Sequence, residues 1–402
     1  MRLFYGWIVA AGAFLVLLVA YGAQYSFGLF FSELVAEFGW SRAALSGVFS
    51  LYAFAYPAFG FPAGRLTDLW GPRVVIALGG ILLGLALAGM ALVSALWQPY
   101  VLYGLIAGMG MSTAWVPCNA TIVKWFVRRR GAAVGLVTSG ASVGTFAVPP
   151  IAYLLIAALG WRGAYVAFGA TILVVLNLIA LVMRPDPESL GLHPDGARVP
   201  APEPAGAAPI PVGRAMRTSA FWLIAGTFMA VWIPVFIPLV HMVVFARDLG
   251  FSALAGAAAL SALGVGSTVG RIAMGALSDV LGRKPAVMIA MAVQVVGFVA
   301  FTRAGTLPAL YTAAFIYGFG YAAISTLFAP TIADFFGRAR AGTLVGVLFA
   351  LSGSASGLGP ILAGLIYDRT GSYTLAWELG AALNLLGLAL FAACRPPRAI
   401  RP

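Results

Sequence analysis

Twelve stretches of roughly twenty apolar residues, each closed by charge or by a Gly/Pro break, run through this chain from end to end. That is the length an α-helix needs to cross about 30 Å of hydrocarbon at 1.5 Å per residue. The first six cover residues 5–32, 43–66, 74–96, 99–126, 132–158 and 164–183. The second six cover 221–245, 253–277, 286–302, 310–336, 343–367 and 375–393. Charged residues make up only 9% of the chain, against about 25% in a globular protein, too few to clothe a surface in water. With 62% apolar residues and a mean hydropathy of +0.98, the chain reads as a multi-pass membrane protein. Disordered chains, secreted disulfide scaffolds and cytosolic enzymes are excluded. The apolar run from Tyr5 far outlasts the 7–15-residue core of a cleaved signal peptide, so the first span is expected to stay. Cys118 and Cys394 have neither metal-ligand spacing nor a disulfide framework, and no cofactor or metal is expected.

The net charge of +12 is topological. Basic residues cluster at span ends and are not interleaved with aromatics, which argues against nucleic acid. Arg42, Arg162, Arg247, Arg303 and Arg369 fall on one side, Arg271 lies inside a span, and the other eighteen Lys and Arg fall on the opposite side. By the positive-inside rule, both termini are expected in the cytoplasm and the span number is even. Between Arg184 and Ser219 the hydropathy collapses into a Pro-rich stretch, the mark of an extended linker. The expected organisation is a six-helix bundle over 1–184, a cytoplasmic linker over 185–218 and a second six-helix bundle over 219–402.

The halves repeat. Gly64-Arg65-Leu66-Thr67-Asp68-Leu69-Trp70-Gly71-Pro72-Arg73 aligns with Gly275-Ala276-Leu277-Ser278-Asp279-Val280-Leu281-Gly282-Arg283-Lys284 at an offset of 211, which also carries Gly131 onto Gly342 and Gly135 onto Gly346. Glycine permits a tight turn and close helix approach, and a carboxylate is stabilised at the positive N-terminal end of a helix. Asp68 is therefore expected beside the start of the eleventh span and Asp279 beside the start of the fifth, gating together with Arg73 and Lys284. This doubled Gly-x-x-x-Asp-x-x-Gly-x-Arg/Lys pattern resembles the loop signature of the major facilitator superfamily. The resemblance implies an all-α membrane protein of twelve helices in two pseudo-symmetric six-helix bundles, rocking about a site between the halves near mid-membrane.

Further segments narrow the resemblance. They are Tyr5-Gly6-Trp7 at the start of the first span and Lys124-Trp125-Phe126 through Gly135 between the fourth and fifth. Pro187-Glu188-Ser189-Leu190-Gly191-Leu192 opens the linker, and Phe245-Ala246-Arg247-Asp248-Leu249-Gly250 ends the seventh span. Together they resemble bacterial monocarboxylate transporters and their oxalate/formate antiporter relatives.

Arg271 is the most informative residue. It lies eight positions before Asp279, about 12 Å into the membrane, and its repeat-mate is Gly60, so the helix fold alone does not demand an arginine. An arginine at that depth costs on the order of 2.5–3.5 kcal/mol, tolerable where it faces a wet cavity and binds an anion. No acidic residue lies deep in any span to pair with it. The family resemblance implies the same role, an arginine on this helix holding a carboxylate. The sequence departs from vertebrate members at two positions tied to proton coupling, with Ser267 where they carry an aspartate and Tyr25 about where they carry a lysine. His241 is the only histidine within a span, and either titrates as the coupling group or is a neutral ring bonded in helix packing. Tyr25, Trp115, Asn119 and Tyr321 lie on the first, fourth and tenth spans, which line the cavity in this superfamily, and Ser142 on the fifth is a weaker candidate. Gly140-Ala141-Ser142-Val143-Gly144 matches a nucleophile elbow formally, but it sits inside an apolar helix where small residues allow close packing.

The expectation is a transporter and not an enzyme. It carries a small organic carboxylate such as lactate or pyruvate by proton symport and alternating access, as a monomer in the inner (plasma) membrane. The alternatives are an organic-anion antiporter or exporter of the same superfamily, or a membrane receptor that binds without transporting. Oxalate carriers of the superfamily add a lysine on the eleventh helix, where this chain has Ser352, so a dicarboxylate is expected to be disfavoured.

Overall fold

The computed structural model describes residues 4–197 and 211–395, and every regular element among them is helical. The middle of the expected linker, with Arg198, and both chain ends, which carry the expected terminus orientation, lie outside the described residues. In chain order the helices are α1 (Tyr5–Phe38), α2 (Arg42–Ala58), α3 (Gly60–Met90), α4 (Trp97–Trp125), α5 (Arg130–Val182), α6 (Ser219–Asp248), α7 (Leu254–Leu281), α8 (Arg283–Phe301), α9 (Leu307–Phe336), α10 (Ala341–Thr370) and α11 (Thr374–Ala393). Among the described residues ten of these are long and apolar enough to cross a membrane, and α2 is shorter. The 53-residue α5 breaks at Gly160 into two crossings, and α2 with the start of α3 makes another, giving the expected twelve.

The spans differ from expectation chiefly in length. Helix α1 continues past residue 32 through Glu33 and Glu37 and stops at Gly39, whose φ of 64° ends it in a left-handed cap. The repeated loop signature is also more helical than a loop. Asp68 and Asp279 lie on helix, and the turn shrinks to Gly71 (φ 79°, ψ 164°) and Gly282 (φ 85°, ψ 159°), the same offset apart. Only glycine takes that conformation without strain, so each turn is confined to one residue.

Leu85, Leu154, Val280 and many other large apolar side chains are exposed. On a soluble protein such a surface would aggregate, whereas in a bilayer it meets acyl chains, while the helices satisfy their own backbone.

The helices group into two contact units. The first comprises Met1–Val127, Val137–Pro202 and Ala339–Ala350; the second comprises Arg128–Leu136, Glu203–Arg338 and Leu351–Pro402. Each thus takes in a short segment from the opposite half of the chain, a feature the simple division into 1–184 and 219–402 lacks. The first unit packs aromatic rings in its core, with Phe30 stacked on Tyr165 (centroids 3.8 Å) and Phe27 tilted against Tyr103 (4.3 Å). The second centres on Trp377, Phe298, Phe301 and Tyr317. Close backbone contact does the rest. A Cβ at Gly140 or Gly144 would strike the carbonyls of Phe14 and Leu18 on α1, so the formal nucleophile elbow is a helix-packing stripe.

Candidate functional site

In the second unit, α7 carries Arg271 with only 4% of its surface exposed. One turn earlier Ser267 donates to the Gly318 carbonyl on α9 (3.3 Å), which fixes the face that α7 turns toward α9. From that face the Arg271 guanidinium reaches over Tyr321, its carbon 6.0 Å from the ring centroid. Tyr321 lies parallel to Tyr317 (6.3 Å, 6°), whose hydroxyl donates to the Val235 carbonyl (2.7 Å). An aromatic face attracts a cation, modestly beside a full counter-charge. The Arg271 carbonyl lies against Gly135, where a Cβ would not fit. Two expected site residues, Arg271 and Tyr321, are thus brought together. In the same unit Ser352 is fully buried.

The first unit holds the other candidates. Trp115 is buried and stacks on Phe349 (4.3 Å, 25°), whose edge meets Tyr56 (5.1 Å). One turn on, Asn119 is fully buried, and its Nδ2 donates to the Trp115 carbonyl (2.9 Å). Its Oδ1 has no hydrogen-bond partner among the described residues, a buried acceptor awaiting a donor. Tyr25 is half-buried and stacks on Tyr21 (6.3 Å), and Ser142 is buried on α5.

His241 on α6 is bonded at both ring nitrogens, Nδ1 to the Tyr373 hydroxyl (2.9 Å) and Nε2 to the Pro360 carbonyl (3.1 Å). A carbonyl only accepts, so Nε2 carries a hydrogen and Nδ1 is the nitrogen that can change state. Tyr373 lies in the turn before α11. Burial first, then the Asp248 charge, pushes its phenol up to about 12, so it remains neutral around pH 7.

The two repeated carboxylates occupy equivalent places. Asp68 accepts from the Gly342 N–H (3.2 Å), the Thr343 N–H (2.7 Å) and the Thr343 hydroxyl (2.8 Å) at the start of α10. Asp279 accepts from the Gly131 N–H (2.7 Å) and the Ala132 N–H (2.8 Å) at the start of α5. These N–H groups have no partner inside their own helices, so the carboxylates cap them and face the positive end of the dipole. Their basic neighbours point elsewhere. Lys284 donates to the Ala392 and Cys394 carbonyls (2.6 and 2.8 Å) at the end of α11, while Arg73 is exposed at the head of a groove between α3 and α5.

Sequence reasoning missed the partners of these carboxylates. Lys124 pairs with Asp68 at 2.9 Å, both about nine-tenths buried. Arg283 bridges Asp279 (2.7 Å) and Asp334 (2.8 Å), and Arg130 pairs with Asp334. The available signal was the opposite charge ending α4 and α9, Lys124 and Asp334. A further cluster in the first unit, Tyr52 and Tyr103 donating to Gln24 (3.2 Å each), gave no sequence signal.

The Major Facilitator Superfamily family model matches residues 13–273 and 235–402. Monocarboxylate transporter 13 of Rattus norvegicus is 31% identical over 395 residues, covering 95% of this chain and 87% of that protein. Monocarboxylate transporter 11 of Homo sapiens is 31% identical over 400 residues, covering 95% and 81%. A solved proton:xylose symporter of the superfamily, bound to 6-bromo-6-deoxy-D-glucose, superposes with a TM-score of 0.75 over 98% of this chain and 97% of that one. At 14% identity that likeness concerns the fold alone. Twelve membrane crossings and relatives named as transporters make this a multi-pass membrane transporter and not an enzyme. The chain belongs to the major facilitator superfamily, in its monocarboxylate transporter-like family.

Proposed function

We propose that the protein carries small monocarboxylates of the lactate or pyruvate kind across the cell's inner (plasma) membrane, by proton-coupled symport with alternating access. The observation that carries this reading is Arg271, a buried guanidinium inside a membrane crossing, laid over an aromatic ring. A carboxylate carries the opposite charge, and the planar guanidinium fork donates to its two oxygens bidentately. The relatives' printed name, monocarboxylate transporter, agrees with that chemistry. In the second unit Tyr321 is proposed to bind substrate together with Arg271. Tyr25, Trp115, Asn119 and Ser142 are the candidates of the other unit, and the orphan Asn119 Oδ1 suits the hydroxyl of a 2-hydroxy acid.

His241 is the proposed coupling group. When neutral it accepts from Tyr373, and when protonated it donates, so the proton it gains turns one hydroxyl around. Asp68 and Asp279 are the proposed gating carboxylates, capping helix starts in one state and releasing them in another. Arg73 and Lys284 belong to this proposed set by position in the repeat. Both termini are assigned to the cytoplasm and the monomer is the working unit.

The test is a thermal-shift screen of small carboxylates on the purified protein, followed by uptake of the hits into proteoliposomes. Lactate or pyruvate is expected to raise the melting temperature and to accumulate under an inward proton gradient. Binding without uptake would turn the reading toward a receptor.

A further inference from the structure

The two halves treat the same basic residue differently. Lys284 and Arg73 are repeat-mates, as are the carbonyls at 392 and 394 with those at 181 and 183. In the second unit Lys284 donates to the Ala392 and Cys394 carbonyls. In the first unit Arg184 already donates to their counterparts, the Leu181 and Met183 carbonyls, at 2.9 and 3.0 Å. The cap that Lys284 provides is therefore filled, and Arg73 is left over. It is exposed, and among the described residues it has no hydrogen-bond or ion-pair partner.

Arg73 stands at the head of a groove of about 640 Å³ between α3 and α5, floored by Ala77 and walled by Leu78, Ile81, Val174 and Leu178. From Arg73 to Ile81 the groove runs eight residues, about 12 Å along the helix. The walls are exposed apolar side chains on helices apolar enough to cross a membrane, so in a bilayer they face acyl chains. What the structure adds is a fixed positive charge at one end of that apolar track. A basic residue there favours an anionic headgroup over a zwitterionic one by about 1 kcal/mol, or roughly fivefold.

We propose that this groove is a binding site for one anionic phospholipid, its phosphate held by Arg73 and an acyl chain lying along Ala77 to Ile81. The site stands independently of the carboxylate reading.

The test is native mass spectrometry of the full chain released from detergent, titrated with dioleoyl-phosphatidylglycerol and with dioleoyl-phosphatidylcholine. Wild type is expected to retain phosphatidylglycerol preferentially. Arg73→Gln should lower that retention about fivefold, Ala77→Trp should fill the groove and lower retention of both lipids, and Arg65→Gln should change neither. Circular dichroism melts confirm that each variant is folded. Unchanged phosphatidylglycerol retention in Arg73→Gln overturns the proposal. So does an equal loss in Arg65→Gln, which would mean general surface attraction. A dimer or a copurifying polypeptide lost with Ala77→Trp would assign the groove to protein instead.

Discussion

Replacing Asp68 by asparagine keeps the shape of the side chain and removes its charge. The carboxylate accepts four hydrogen bonds, from the Gly342 N–H, the Thr343 N–H and hydroxyl, and Lys124. Hydrogen bonds to a charged group are worth about 1.5–3 kcal/mol against about 0.5–1.5 for neutral ones, so each retained bond weakens by about 1 kcal/mol. An amide has one accepting oxygen, so at least one bond is lost, and Lys124, at 11% exposure, loses the charge of Asp68. The weakening of three retained bonds alone comes to about 3 kcal/mol against the capped arrangement, so its equilibrium shifts by at least about a hundredfold. Amide hydrogen exchange reads this directly. In Asp68→Asn, exchange at the start of α10 should accelerate by at least about a hundredfold, while the start of α5, capped by Asp279, stays protected. Asp279→Asn should act in mirror image but by less, because Arg283 keeps its second partner Asp334. Unchanged protection at Gly342 and Thr343 would refute the capping argument. Equal acceleration at both helix starts would replace it with general unfolding.

The other predictions concern charge and protons. Ser352→Lys should raise the affinity for oxalate relative to lactate, measured by competition against labelled lactate, because a second carboxylate then finds a counter-charge. Wild-type inhibition by oxalate as strong as by lactate would contradict that. His241→Gln should remove the dependence of uptake on the pH gradient at fixed voltage; uptake that stays pH-dependent clears His241 of the coupling role. Tyr373 keeps its proton to about 12 in the folded protein. An unfolded tyrosine loses it near 10, so the unfolded state releases protons first and stability falls as pH climbs above 10. Melts of Tyr373→Phe between pH 9 and 11 should show a shallower alkaline decline than wild type.

The number of crossings was legible because apolar length speaks for itself in a membrane: twelve stretches became twelve crossings. Their ends were less so. Glu33 and Glu37 looked like loop residues, yet the helix runs through both to Gly39, since a helix leaving the bilayer has no reason to stop at the first charge. The internal repeat was the strongest signal for long-range contact. It paired Asp68 with Asp279 and Gly131 with Gly342, and the hydrogen bonds join these four positions at separations of 148 and 274 residues. Where the repeat is broken, the sequence was mute. Lys124 serves Asp68, whereas Asp279 is served by Arg283, and no offset predicts that exchange. Nor did the sequence separate the role of Arg73 from that of Lys284, because the difference lies in Arg184, a third residue that fills the place. Asn119 was singled out by its place on the fourth span, which lines the cavity in this superfamily. That one of its atoms is bonded and the other orphaned is visible only in the structure.

The central claim is that Arg271 holds the carboxylate of the transported acid. Uptake of labelled L-lactate into proteoliposomes under an inward proton gradient, compared between wild type and Arg271→Lys, tests it most directly. A lysine keeps the charge and loses the planar fork, forfeiting a charge-assisted bond worth about 1.5–3 kcal/mol. The account predicts lactate accumulation by wild type and a fall of about ten- to a hundredfold in Arg271→Lys, with unchanged thermal stability in the absence of substrate. Lactate uptake by Arg271→Lys at the wild-type rate would contradict it.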